Sequence, residues 1–169
     1  MLSKSIISWL LIGLTVSLFA CSENDTSGRG PYLQNASSTT MVVKWRSNQN
    51  ALGQVNYGIN PNELTEVAFA TRESRDQEVL LTTLVPDTDY YYKESEDDAE
   101  YTFRSPPVEG SAMPTRVWIL GDSGTANLNA SLVKLAFYDF NGGPVTDLML
   151  TLGDNAYDIG TDINYQQAF

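Results

Sequence analysis

The spacing of hydrophobic and polar positions changes character several times along the chain. Residues 6–19 are almost wholly apolar, with a positive Lys4 ahead of them. That run is shorter than the ~20 residues of a permanent membrane span and has the layout of an export signal. Residues 22–30 are polar and contain glycine, as a flexible tether does. From 31 to 105 no helical period is visible, and short strand-like runs take over at 32–34, 40–45, 54–57, 67–70, 79–82, 90–93 and 101–103. Turn residues separate them: Asn48-Gln49-Asn50, the stretch 58–62, and Pro86-Asp87. About seven strands in about 75 residues is the pattern of an all-β, immunoglobulin-like sandwich. Alternation within Tyr90-Tyr91-Tyr92 sends two rings to one face and one to the other, which favours packing over a ligand surface. Trp45 is the expected core anchor of the second strand.

The period changes again after residues 106–115, where Pro106, Pro107, Gly110 and Pro114 make a linker. Residues 116–120 are a short apolar strand that stops at Gly121-Asp122-Ser123-Gly124. From 128 to 140, Leu128, Leu132, Leu135, Ala136 and Phe140 recur at helical spacing, and Asn141-Gly142-Gly143-Pro144 ends that helix. Residues 145–152 read as a parallel strand covered on both faces, and they stop at Gly153-Asp154-Asn155-Ala156-Tyr157. A crossover of this kind places Asp122 and Asp154 on the same rim, at the carboxyl ends of neighbouring strands. Two bare carboxylates there repel, and bound cations are the natural resolution. Asn155, Asp158 and Asp162 read as loop or capping residues, with Asn155 able to support the site from behind.

Gly121-Asp122-x-Gly124 followed by Gly153-Asp154-x-x-Tyr157, on successive strands of one β-α-β unit, resembles the first two metal motifs of the purple acid phosphatases, within the calcineurin-like metallophosphoesterases. The wider superfamily usually carries a histidine where this chain has Gly124, and that departure, with Tyr157, points to the purple subgroup. The resemblance implies that Asp122 binds a ferric ion, that Asp154 bridges it to a divalent Fe, Zn or Mn, and that Tyr157 binds the ferric ion as phenolate. Fe(III) is a hard cation whose charge can hold a phenolate that is otherwise protonated below a pKa of about 10. The amino-terminal sandwich fits the same family, whose larger members carry a fibronectin type III-like domain. The stretch 29–34 resembles its opening, and Leu84-x-Pro86-x-Thr88-x-Tyr90 resembles the tyrosine corner of fibronectin type III domains. The implied reaction is hydrolysis of a phosphate monoester, the substrate partner, at two metals about 3.5–4 Å apart that orient the phosphoryl group for in-line attack.

Composition narrows this reading. The chain has no histidine, whereas the resemblance implies further ligands that include several. The 169 residues therefore read as the front part of a longer enzyme, with weak or negligible metal binding of their own and no complete catalytic apparatus. The expected organisation is a signal peptide at 1–20, a tether at 21–29, the sandwich at 30–105, the linker at 106–115 and the start of an α/β metallophosphoesterase domain at 116–169. Cys21 is the single cysteine, and Leu18-Phe19-Ala20-Cys21 resembles a bacterial lipobox, so lipidation of Cys21 and a membrane-tethered place in the bacterial cell envelope are expected, with an ordinary secretory signal and a periplasmic or secreted protein as the alternative. Ten Lys and Arg against 21 Asp and Glu, a net charge of −11, leave no basic patch for nucleic acid. The acidic run 94–98 lacks the glycine-pivoted loop of calcium-binding hands and reads as a solvated hairpin tip. Gly121-Asp122-Ser123-Gly124 also resembles serine motifs of trypsin-like proteases and GDS esterases, but both need a histidine base. A lipid-tethered β-sandwich binding module without catalysis is the alternative from another class. Against it stand the exposed edges of a two-stranded sheet.

Overall fold

The computed structural model describes residues 28–94, 99–143 and 146–168. The apolar run 1–20, Cys21, the tether through residue 27 and residues 95–98 of the acidic run lie outside the described residues. Two antiparallel sheets form first. Strands β1 (Arg29–Gln34), β2 (Met41–Ala51) and β5 (Ser74–Leu81) make one sheet in the order β1-β2-β5. Strands β3 (Gln54–Gly58), β4 (Glu66–Phe69), β6 (Asp89–Glu94) and β7 (Tyr101–Arg104) make the other, in the order β4-β3-β6-β7. This is a fibronectin type III-like sandwich, and each of the seven strand-like runs forms one of its strands.

Alternation builds the core. Met41, Val43 and Trp45 on β2 meet Val79 and Leu81 on β5, and across the gap Val55, Tyr57, Tyr90, Tyr92 and Phe103 come from the other sheet. Tyr90 stacks on Phe103 at 5.4 Å between ring centroids, while Tyr91 is only half-buried, as period-two alternation requires. The Tyr90 hydroxyl accepts from the Val85 N–H at 2.9 Å, which closes the tyrosine corner. Gln77 is buried and fully partnered: its amide nitrogen donates to the carbonyls of Ala51 at 2.8 Å and of Ser74, and its oxygen accepts from the Gly53 N–H at 3.0 Å. One expectation is corrected here. Asn48, Gln49 and Asn50 do not form a turn; they lie inside β2, where the ladder to β5 shifts register between Arg46 and Ala51. Their side chains face solvent, so polar residues fit the strand.

No helix or strand interrupts the stretch between β7 and the next strand, β8 (Val117–Leu120). Helix α1 (Leu128–Asn141) follows, and then β9 (Leu148–Thr151), which pairs with β8 in parallel, Val117 opposite Leu148 and Leu120 opposite Thr151. Asn127 caps α1 by accepting from the Ala130 N–H, and Gly142, at φ 73°, takes the left-handed conformation that ends it. The helix docks through Phe137, stacked on Trp118 of β8 at 4.1 Å between centroids. The expectation that the second strand is covered on both faces is not met among the described residues: Leu148, Met149 and Leu150 are all exposed. A lone two-stranded sheet beneath one helix leaves such a strand uncovered. The strand is also shorter than 145–152, because Asp147 turns back, its carboxylate accepting from the Arg116 N–H at 2.6 Å.

A short last helix, α2 (Asp162–Ala168), was not expected from the sequence. Asp162 is its first residue rather than part of a loop. Among the described residues no helix is long and apolar enough to cross a membrane.

Candidate functional site

Parallel pairing of β8 and β9 brings their carboxyl ends side by side, and backbone bonds lace the loops beyond them. The Leu152 N–H donates to the Leu120 carbonyl at 2.9 Å, Asp122 to Gly153 at 3.2 Å, Gly124 to Asp154 at 2.9 Å, and Tyr157 to Gly124 at 2.9 Å. Gly124 is buried where the two loops touch. A Cβ at this position would lie 2.2–2.6 Å from the backbone of Asn155 and Ala156, so only glycine allows the approach.

Asp122 and Asp154 both adopt left-handed backbone conformations, with φ of 55° and 53°. Aspartate tolerates this region better than most residues, yet two such positions at matching strand ends are uncommon. The result is convergence. The Tyr157 Oη sits 2.5 Å from Asp122 Oδ1 and 2.7 Å from Asp154 Oδ2. The structure thus brings Asp122, Asp154 and Tyr157 together, although they come from two separate loops.

One phenol proton cannot be donated to two carboxylates at once. The Asp122 hydrogen bond, followed by that of Asp154, holds the Tyr157 phenol above its ordinary value, because ionising it would add a third negative charge beside two. A cation in the cluster reverses that balance. Ser123 Oγ and Asn155 Oδ1, each next in sequence to a cluster aspartate, are buried without a hydrogen-bond partner among the described residues. The donors are therefore all oxygen, which suits a hard ion. Among the described residues no group of three or more His, Cys, Asp or Glu side chains is clustered, so the phenol is needed to make a third ligand.

Beside the cluster lies an open hollow of about 470 Å³, lined by Asp122, Thr125, Tyr157, Asp158, Asn164 and Gln167. Thr125, Asn164 and Gln167 were not singled out in the sequence. A signal for the last two existed in Thr161-x-x-Asn164, a reciprocal helix cap: the Thr161 N–H donates to Asn164 Oδ1 at 3.1 Å, and the Asn164 N–H to Thr161 Oγ1 at 3.3 Å.

The sandwich and the oxygen cluster define a two-part molecule, a fibronectin type III-like module joined to a β-α-β unit whose strand ends carry two carboxylates and a phenol. The family model described as Purple acid Phosphatase, N-terminal domain, matches residues 30–105. The chain therefore carries the amino-terminal domain of the purple acid phosphatases. Similar solved structures include the fibronectin type III domain of human contactin 1, at 15% identity, covering 52% of this chain and 82% of that one, with a TM-score of 0.38. A fibronectin type III domain from the human KIAA0970 protein is similar at 13% identity, covering 53% of this chain and 79% of that one, with a TM-score of 0.39. The sensor domain of the anti-sigma factor RsgI4 of Pseudobacteroides cellulosolvens is similar at 14% identity, covering 51% and 81%, with a TM-score of 0.36. No curated protein matches the sequence.

Proposed function

We propose that this chain supplies Asp122, Asp154 and Tyr157 to a dinuclear centre, Fe(III) with a divalent Fe, Zn or Mn, that hydrolyses phosphate monoesters. The observation that carries the reading is the meeting of two carboxylates and one phenol at the ends of two parallel strands, in a chain whose sandwich belongs to a phosphatase family. When bound, the metals polarise the phosphoryl group and lower the pKa of a water molecule at the site. The chain's own residues do the rest of the work visible here. Asp122 and Asp154 set the site's negative charge on fixed, left-handed loop positions, and the Gly124 contact keeps the loops in register. Tyr157 Oη keeps its proton while only the carboxylates face it and yields it when a cation takes the carboxylate charge. The histidine ligands that the resemblance implies are not among these 169 residues.

The test is hydrolysis of p-nitrophenyl phosphate by protein expressed from the whole reading frame that contains this chain. Asp122→Asn and Asp154→Asn each are expected to lower kcat/KM by at least about a hundred-fold, the scale at which removing one electrostatic stabiliser acts. Full activity in both variants would remove the cluster from the mechanism. We further propose that the protein is exported and tethered through Cys21, which rests on the sequence pattern of residues 1–21. Mass spectrometry of the mature amino terminus decides this: a diacylglyceryl-modified Cys21 as first residue supports it, and an unmodified Cys21 overturns the tether.

A further inference from the structure

The chain just beyond the cluster reaches back to the sandwich. Helix α2 begins five positions after Tyr157 and presents two opposite faces. Asp162 and Gln166, one turn apart, share one face. Asp162 Oδ2 meets Arg46 Nη1 of β2 at 2.6 Å, and the Gln166 amide donates to the Gly28 carbonyl beside β1 at 2.8 Å. Asn164 and Gln167 lie on the other face and line the hollow against Asp122 and Tyr157. One side of α2 therefore grips the sandwich while the other walls the site.

Arg46 suits this task. Its side chain is only 15% exposed, against 43% for Asp162, and its second carboxylate, Asp76, is farther away at 3.4 Å. A guanidinium held between two aspartates has one fixed direction, so the helix it grips inherits a fixed pose. Tyr157 is joined to α2 by only four intervening residues, which limits how far the phenol can move independently of the helix.

We propose that Arg46 of the sandwich is a positioning residue for the site: by holding Asp162 it fixes α2, and through α2 the wall of the hollow and the Tyr157 ring. The sandwich then acts as a rigid arm for the site rather than as an independent binding module. The functional meaning of this arm rests on the phosphatase reading, but the placement itself is measurable on the 169-residue chain without metal.

The experiment compares Arg46→Gln, Asp162→Asn and the double variant by amide hydrogen exchange and by the ring resonances of Tyr157 in tyrosine-labelled protein. Each single change is expected to speed exchange in α2, for example at the Tyr165 N–H bonded to Thr161, by about ten-fold, the scale of one charge-assisted hydrogen bond. Each is also expected to shift the Tyr157 ring signal, and the double variant to add nothing further. Exchange at Val43 and Val79 in the sandwich core stays slow. A merely structural ion pair would alter α2 exchange and leave the Tyr157 ring unmoved. That result, or additive effects in the double variant, overturns the proposal. Asp162→Asn lies outside the sandwich, so it remains decisive if Arg46→Gln fails to fold. Failure of the phosphatase reading is distinguishable, because it appears as absent phosphomonoester hydrolysis while the Tyr157 ring still responds.

Discussion

Gly124→Ala is the smallest change that should take the site apart. The added Cβ would meet Ala156 N at 2.2 Å, Asn155 C at 2.3 Å and Ala156 Cα at 2.6 Å. All three are backbone atoms, so no flexible side chain can swing aside, and ordinary contact needs roughly 3.5–4 Å. The loops must separate by more than 1 Å at this point, by roughly the difference between those figures. That movement breaks the two backbone bonds Gly124 makes, to the Asp154 carbonyl and from the Tyr157 N–H, both 2.9 Å. Overpacking costs about 1–3 kcal/mol and each lost bond about 1 kcal/mol, so the laced state weakens by about 2–4 kcal/mol after partial relaxation. In local opening this is roughly thirty-fold or more. The assay is amide exchange at Gly124 and Tyr157 with the sandwich strands as internal reference. The variant is expected to lose protection at both amides while exchange at Val43, Val55 and Val79 stays unchanged. Undiminished protection at the Tyr157 amide would refute the claim that the loops are held by a contact only glycine permits.

The sandwich makes its own predictions. Tyr90→Phe removes the acceptor of the Val85 N–H and should cost about 1 kcal/mol, read as a fall in Tm of several degrees. Leu81→Ala, at a fully buried position, should cost about 2–5 kcal/mol and lower the urea midpoint followed by Trp45 fluorescence. Acid tests the Arg104 bridge. Its hydrogen bond holds the Asp87 carboxyl below its ordinary 3.8, so that contribution is fully present above pH 3.8 and is lost as the pH falls through the lower folded value. Arg104→Gln should therefore differ from the wild type in urea midpoint at pH 7 by more than it does at pH 2.5; an unchanged difference would show that the bridge carries no linkage.

The parts of the fold that were legible in the sequence are those written in local chemistry. Short strand-like runs between turn residues marked the sandwich strands, whose Val43, Trp45 and Val79 fill the core, and the Pro86-to-Tyr90 spacing marked the corner because a hydroxyl must reach back to Val85. Gly142 marked the end of α1 for the same reason, whereas the Asn127 cap emerged only in the structure. Turn propensity misled at Asn48-Gln49-Asn50, where exposed polar side chains continue β2 across a register shift. Helix α2 was missed because Asp162–Ala168 has no apolar period to show; its cap and its grip on Arg46 are polar. Asp122 and Asp154 were legible as twin strand ends, and Tyr157 through its motif. Thr161-x-x-Asn164 offered a cap signal for α2, but the place of Asn164 and Gln167 beside the cluster depends on where that helix docks, which no local pattern encodes. The Gly124 contact was likewise hidden, because a glycine's role here is set by a backbone 31 residues away at Asn155.

The proposed role of Tyr157 is that of a metal ligand held between two aspartates. Its most direct test is the visible spectrum of the iron-loaded protein expressed from the whole reading frame, wild type against Tyr157→Phe. A phenolate-to-iron absorption band is expected in the wild type, and its abolition in the variant. A band that survives the substitution unchanged would contradict it and remove Tyr157 from the ligand set.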